Sequence, residues 1–151
     1  MLQLLPMPDP SAVETIRAAV DTITPATDDF PGALALGADR HVIDMLELGL
    51  PGITDMFAAL LDAYAGEVRA GASFVALTPD ERSAVLRAMS TDDSQDIRDA
   101  VDALIVFGNG ASFSEWSGYD RATRGLNPPP TWKMVGFGGP SDGHASYRED
   151  V

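Results

Sequence analysis

The sequence contains no cysteine, and this absence excludes disulfide bonds, thiolate metal ligands and thiol nucleophiles. Histidine is nearly as scarce, since His41 and His144 are the only two. Neither has a partner at i, i+4 or a carboxylate arrangement typical of a metal site, and a mononuclear site needs three or four converging ligands. We therefore predict two ordinary surface histidines and no metal site.

Positive charge is also sparse, and Lys133 is the single lysine. With 23 acidic and 10 basic residues the formal net charge is −13. Such a charge repels phosphate backbones and anionic lipid surfaces, so we expect neither nucleic-acid binding nor attachment to a membrane surface. The acidity is consistent with two explanations, which are solubility and the steering of a basic partner.

Long hydrophobic runs are missing as well. None approaches the ~20 apolar residues of a spanning helix, so we expect no direct membrane insertion. The first ten residues are apolar but contain three prolines, without the positive region or cleavage site of a signal peptide. We therefore expect a cytoplasmic protein.

What the chain does contain is helical periodicity. Its 151 residues, 45% of them hydrophobic, fit one domain with a substantial core. No alternating segment of convincing length predicts a strand, so the sequence predicts an all-α fold with about five helices in a bundle-like core. The predicted helices run from about Pro10 to Ile23, from Ala33 to Leu48, from Ile53 to Ala70, from Pro79 through Met89, and from Asp93 or Ser94 to Phe107. Thr78, Pro79 and Glu81 supply the clearest start signal, a capping box with proline at the first helical position.

The composition changes at residue 108. We divide the chain into a helical core, residues 1–107, and an irregular tail rich in glycine, proline and aromatic residues, residues 108–151. Gly108 and Gly110 are interpreted as a breaker that ends the fifth helix. Disordered tails are usually poor in aromatic residues, whereas interfaces are enriched in them. Three possibilities remain open for the tail: packing over its own helices, contact with a partner, and disorder, of which the first two are compatible.

No segment carries a recognisable catalytic or cofactor motif. Residues 108–112 lack the terminal Gly-Lys-Ser/Thr of a phosphate loop, and residues 136–140 lack the strand and helix of a dinucleotide fingerprint. The hydroxyls and acids near the tail lack a nucleophile elbow. That group comprises Ser112, Ser114, Ser117, Asp120 and His144. Adjacent acids such as Asp92 and Asp93 are interpreted as helix caps and solvated charges. The sequence therefore predicts no catalytic, cofactor-binding or metal-binding residue.

Three blocks of the sequence resemble the gluconate 2-dehydrogenase subunit 3 family. Residues 23–33, with Ile23, Pro25, Asp29 and Pro31-Gly32-Ala33, are similar to the family's opening segment. Phe74 to Leu86 resembles its F-x-x-L-x-x-x-E-R-x-x-x-L segment. Trp132 to Pro140 resembles its closing W-x-x-[I/V]-G-[F/Y]-x-G signature. The blocks occur in the family's order.

This resemblance implies a small, non-catalytic accessory subunit that supports the maturation, stability or export of a larger enzyme. The implied partner is a flavin-dependent dehydrogenase of the glucose-methanol-choline (GMC) type that oxidises a sugar or other alcohol. FAD is then expected in the partner and no cofactor in this chain. Many relatives carry a twin-arginine signal that is not visible here, so we expect a cytoplasmic complex or export with a signal-bearing partner.

The aromatic tail is the predicted partner interface. Its predicted contact residues are Phe113, Trp116, Tyr119, Trp132, Lys133, Met134, Phe137 and Pro140. The alternative hypothesis is a freestanding helical module whose tail closes over a small apolar ligand.

Overall fold

A computed structural model describes residues 7–114, 119–120 and 122–137. Within these ranges the chain is helical, which confirms the predicted all-α class. The elements in chain order are α1 (Pro10–Ile23), α2 (Ala38–Gly49), α3 (Ile53–Val68), a 3-10 helix (Phe74–Ala76), α4 (Pro79–Ser90), α5 (Gln95–Phe113), β1 (Tyr119–Asp120), β2 (Gly125–Leu126) and α6 (Pro130–Met134). The two short strands pair antiparallel, with Tyr119 opposite Leu126.

Helix α1 lies at the centre of the bundle and packs against α2, α3, α4 and α5. It begins where predicted because the Asp9 carboxylate accepts a hydrogen bond from the Ser11 backbone N–H at 2.8 Å and thereby caps the helix. Ile16 and Val20 on its inner face are completely buried. They join a core that also contains Val42, Leu61, Phe74, Val85, Met89, Val101 and Leu104.

The entry to α4 has the predicted capping box. Thr78 Oγ1 accepts a hydrogen bond from the Glu81 backbone N–H at 3.3 Å, and Glu81 Oε2 accepts one from the Thr78 backbone N–H at 2.7 Å. This bond from the Thr78 backbone is the main reason why the pKa of Glu81 lies below its ordinary value. Just before the helix, Phe74 and Leu77 are buried and fix the angle at which the chain enters.

Two helix boundaries differ from the sequence prediction by several residues. Helix α2 begins at Ala38 rather than Ala33, because the preceding residues form hydrogen-bonded turns and Gly37 adopts a left-handed φ of +70°. Helix α5 continues to Phe113, so the breaker predicted at Gly108 is wrong and the division after residue 107 falls inside this helix. Glycine costs only about 1 kcal/mol in a helix interior, and the packing of Ala111 into the core opposes that cost.

Some apolar side chains on the apolar stripes of α3 and α5 are exposed. Met56, Ile105 and Val68 retain 56%, 37% and 40% of their accessible surface. The apolar stripes of α3 and α5 are therefore wider than the core that they cover, and part of each faces outward. Within the described ranges, no helix combines the length and the apolar character that crossing a bilayer requires.

Candidate docking surface

The end of α5 and the short helix α6 form one local unit. The Trp132 indole Nε1–H donates a hydrogen bond to the backbone carbonyl oxygen of Phe113 at 2.9 Å. Phe113 is the last residue of α5, so this bond satisfies a carbonyl group that has no partner further along the helix. Trp132 is 6% exposed and therefore attaches α6 to the body of the protein.

Helix α6 ends in a Schellman motif, which gives the closing family signature a physical role. The Phe137 N–H donates to the Trp132 carbonyl at 2.8 Å, and the Gly136 N–H donates to the Lys133 carbonyl at 3.3 Å. Gly136 has a φ of +69°, a conformation that favours glycine. The Phe137 and Trp132 rings meet edge to face with centroids 4.9 Å apart, which is the hydrophobic contact that accompanies this motif. We call the Schellman turn and the Trp132–Phe113 bond together the tail clip.

The loop between α1 and α2 reaches the same end of α5 from another side. Thr24 Oγ1 lies 3.1 Å from Asn109 Oδ1, and the Phe30 and Phe113 rings are stacked with centroids 6.2 Å apart. Gly32 permits the tight return of this loop, since it has a φ of +83° and a Cβ there would lie 2.8 Å from the Ala26 backbone nitrogen. The first and third family-like blocks therefore converge on the last turns of α5.

The tail clip presents apolar side chains to solvent. Phe113, Met134 and Phe137 are 42%, 45% and 49% exposed, and Lys133 is also exposed. Val135, which the sequence prediction did not include, is 61% exposed. We define the tail surface by these residues, namely Phe113, Lys133, Met134, Val135 and Phe137.

The other predicted interface residues have different positions. Trp132 was predicted as an anchor for a partner, but its side chain is buried within this chain. Tyr119 belongs to β1, and its side chain lies outside the described part. Trp116 and Pro140 fall outside the described residues, so their predicted contacts stay predictions. Phe30 was missed because its contact with Phe113 depends on tertiary structure.

The middle family-like block lies elsewhere and serves the core. Arg82 donates from Nε to the Phe74 carbonyl at 3.2 Å and from Nη2 to the Val75 carbonyl at 2.6 Å. Its guanidinium also lies 5.9 Å from the centroid of the Phe74 ring. Arg69 supports the same turn through an ion pair with Glu81 at 3.1 Å and a hydrogen bond to the Ala76 carbonyl. This block therefore holds the 3-10 turn against α4.

The polar groups that suggested alternative chemistry have structural roles in the described part of the chain. Ser112 is completely buried and donates to the Gly108 carbonyl at 2.8 Å within α5. Asp92 accepts hydrogen bonds from the Ser94 backbone N–H at 2.8 Å and from the Tyr64 hydroxyl. The Tyr64 bond lowers the pKa of Asp92, and Asp92 raises the pKa of Tyr64 to about 12. No cluster of three or more metal-ligating side chains occurs among the described residues.

Two of the described clefts are open depressions on the helical surface. One of about 370 Å³ lies between α1 and α2, where Val13 and Ile43 form part of its lining. Another of about 300 Å³ contains three carboxylates, those of Asp9, Asp55 and Asp62. Neither combines an enclosed apolar chamber with converging polar groups, which is the usual form of a small-molecule site.

Comparison with known protein families gives a match. The family model for gluconate 2-dehydrogenase subunit 3 matches residues 10–139. Neither the curated proteins nor the solved structures give a match. Since the matched region includes the five long helices and the tail clip, this chain belongs to the gluconate 2-dehydrogenase subunit 3 family.

Proposed function

We propose that this chain is a non-catalytic accessory subunit that stabilises or matures a larger FAD-dependent dehydrogenase of the GMC type. The partner would oxidise a sugar, a sugar acid or another alcohol, and the flavin would lie entirely in the partner. The family name supports a subunit of a dehydrogenase complex. The observation that carries the docking part of the proposal is the tail surface.

The tail surface has the properties of a preorganised interface. Its apolar side chains project from a segment that is fixed by the Schellman turn and by the Trp132 bond, so little conformational entropy is lost when a partner binds. Aromatic and methionine side chains are enriched at interface centres, and truncating an anchor of this kind typically costs about 2 kcal/mol or more. Phe113, Met134 and Phe137 fit that role.

The alternative function, a freestanding module for a small apolar ligand, has less support. Such a module needs an enclosed apolar pocket, whereas the two clefts described above are open and one of them is lined by carboxylates. The apolar residues of the tail surface face outward rather than over a cavity. The geometry therefore favours a protein partner.

Recovery of the chain from its native source tests this proposal. An affinity-tagged chain should co-elute in a fixed ratio with a larger flavin-containing protein that has dehydrogenase activity. Phe137→Ser should reduce this recovery at least tenfold. The matched control is Val68→Ser, because Val68 has a similar exposure of 40% but lies at the C-terminal end of α3. A chain recovered without any flavoprotein, or equal recovery by both variants, would contradict the proposal.

A further inference from the structure

The turn between α2 and α3 presents a second apolar surface. Met45, Leu48, Leu50 and Met56 are 36%, 76%, 54% and 56% exposed, and we call these four residues the turn patch. Residues at turns are normally polar or small, and clusters of exposed large apolar side chains mark interaction sites. Methionine adds adaptability, since its flexible thioether fits irregular partner surfaces.

The backbone under the turn patch is held in place by Glu47. Its Oε2 accepts from the Gly52 N–H at 2.8 Å and its Oε1 accepts from the Thr54 N–H at 3.0 Å. Burial acts to raise the pKa of Glu47, but the hydrogen bonds from Thr54 and Gly52 outweigh it and the pKa lies below its ordinary value. Gly52 has a φ of +85°, which glycine adopts without strain. The turn is therefore preorganised around the exposed leucines.

The charges around the turn patch restrict what can cover it. Asp44 on α2 and Asp55 on α3 are exposed, and the Asp55 carboxylate accepts a hydrogen bond from the Asp9 backbone N–H at 2.9 Å. No lysine, arginine or histidine occurs from residue 44 to residue 56. The nearest arginine along the chain is Arg40, which lies one helical turn before Asp44 and lines the same cleft as Asp44 and Glu47. These acidic side chains repel an anionic lipid surface. They also disfavour a symmetric contact with a second copy, because the same acidic side chains would then face each other. A protein cleft that is apolar inside and bordered by arginine or lysine complements the turn patch.

The area of the tail surface indicates that the protein that binds it also binds the turn patch. Phe113, Met134, Val135 and Phe137 are each about half exposed and together offer roughly 400 Å², whereas a stable interface uses roughly 800 Å² on each partner. The tail surface alone is therefore too small. The turn patch lies at the other end of α2 from the Phe30 loop, and the 12 residues of this helix span about 18 Å. One interface of ordinary size can include both surfaces.

We propose that the turn patch is a second docking surface for the same larger dehydrogenase subunit and that it binds an apolar cleft with a basic rim. This inference rests on the proposed function, since it takes the flavin-containing subunit as the partner. The tail surface and the turn patch then hold that subunit at two separate points.

Binding of the purified flavin-containing subunit to variants of this chain tests the inference. Leu48→Ser should weaken the dissociation constant at least tenfold, because Leu48 is the most exposed member of the turn patch. Val68→Ser should leave it unchanged. Asp44→Asn should reduce the dependence of the dissociation constant on salt, since it removes one negative charge from α2. Circular dichroism should show unchanged helicity in all three variants.

The outcomes separate this inference from the proposed function. If the wild-type chain does not bind the flavin-containing subunit, the proposed function is wrong and this inference with it. If Phe137→Ser weakens binding, but Leu48→Ser does not and Asp44→Asn leaves the salt dependence unchanged, the proposed function survives and the second surface is refuted. Sedimentation of the isolated chain measures whether it forms a dimer. A dimer that Leu48→Ser dissociates would assign the turn patch to a second copy and overturn the inference.

Discussion

Removal of Trp132 should release the tail clip while the five-helix core stays folded. Trp132→Phe deletes the indole N–H that bonds the Phe113 carbonyl, and such a bond contributes about 1 kcal/mol. Trp132→Ala also removes the edge-to-face contact with Phe137 and the buried ring, for which the total cost is about 3–5 kcal/mol. Most of this loss should appear locally, because α6 is a five-residue helix that meets the bundle at the end of α5.

Hydrogen exchange of the isolated chain measures this effect. The informative amides are those of Gly136 and Phe137, which donate the two Schellman hydrogen bonds. A loss of about 1 kcal/mol accelerates exchange about fivefold, and a loss of about 3 kcal/mol accelerates it more than a hundredfold. Trp132→Phe should show the smaller acceleration and Trp132→Ala the larger one. Exchange of core amides such as those of Val101 and Leu104 should hardly change.

Two results would contradict local release of the tail clip. If Trp132→Ala lowers the midpoint of thermal unfolding as much as Leu104→Ala does, the tail clip is part of the cooperative core. If neither amide exchanges faster in Trp132→Ala, the indole does not hold the Schellman turn in place. Leu104 is a suitable reference because it is 1% exposed in the core.

Three further predictions concern the rest of the chain. Gly110→Ala should raise the free energy of unfolding by about 1 kcal/mol, since among the described residues nothing lies within 4 Å of the added Cβ. The same substitution should weaken the complex if the partner approaches α5 beside Phe113. Calorimetry measures the first effect and a binding assay the second. Arg82→Met should destabilise the fold by about 2 kcal/mol, because it removes two hydrogen bonds to backbone carbonyls and the contact of the guanidinium with the Phe74 ring. Urea unfolding measures this loss. The Tyr64 hydroxyl, which donates a hydrogen bond to Asp92, should ionise with a pKa of about 12 rather than 10.0. The stability that this raised pKa contributes is therefore complete below pH 10.0 and is lost as the pH rises from 10.0 to about 12. An absorbance titration should show this phenol shifting towards its ordinary pKa in Asp92→Asn, and an unchanged titration would exclude the interaction.

Local signals in the sequence predicted most of the helical core. The α4 start was predictable because Thr78 and Glu81 satisfy each other's backbone donors within one turn. The end of α5 was not, because the glycines at 108 and 110 suggest a helix end while the burial of Ala111 and Ser112 keeps the segment helical. Tertiary packing outweighed helix propensity at this point.

The candidate site was only partly predictable, for a related physical reason. The tail segment was identified by its aromatic residues, and Phe113, Met134 and Phe137 are indeed exposed. The role of Trp132 was not predictable, because its hydrogen-bond acceptor is a backbone carbonyl 19 residues earlier in the chain. Composition shows which aromatic residues a segment contains but does not show which of them its own helices bury.

The turn patch was missed because the periodicity of α3 places Met56 on the apolar face of this helix. Its apolar stripe is broad, and the bundle covers Phe57 and Leu61 but leaves Met56 more than half exposed. Periodicity identifies the apolar face of a helix, whereas the extent of its burial depends on the neighbouring helices.

Oxidative footprinting of methionine side chains in the free chain and in the complex tests whether the tail surface binds the larger subunit. Met134 reports the tail surface, Met45 and Met56 report the turn patch, and Met89, which is 1% exposed in the core, is an internal reference. Binding of the flavin-containing dehydrogenase should strongly slow oxidation of Met134 and, at the proposed second surface, of Met45 and Met56, whereas oxidation of Met89 should not change. A complex in which Met134 is oxidised as fast as in the free chain would contradict the claim that the tail surface binds the larger subunit.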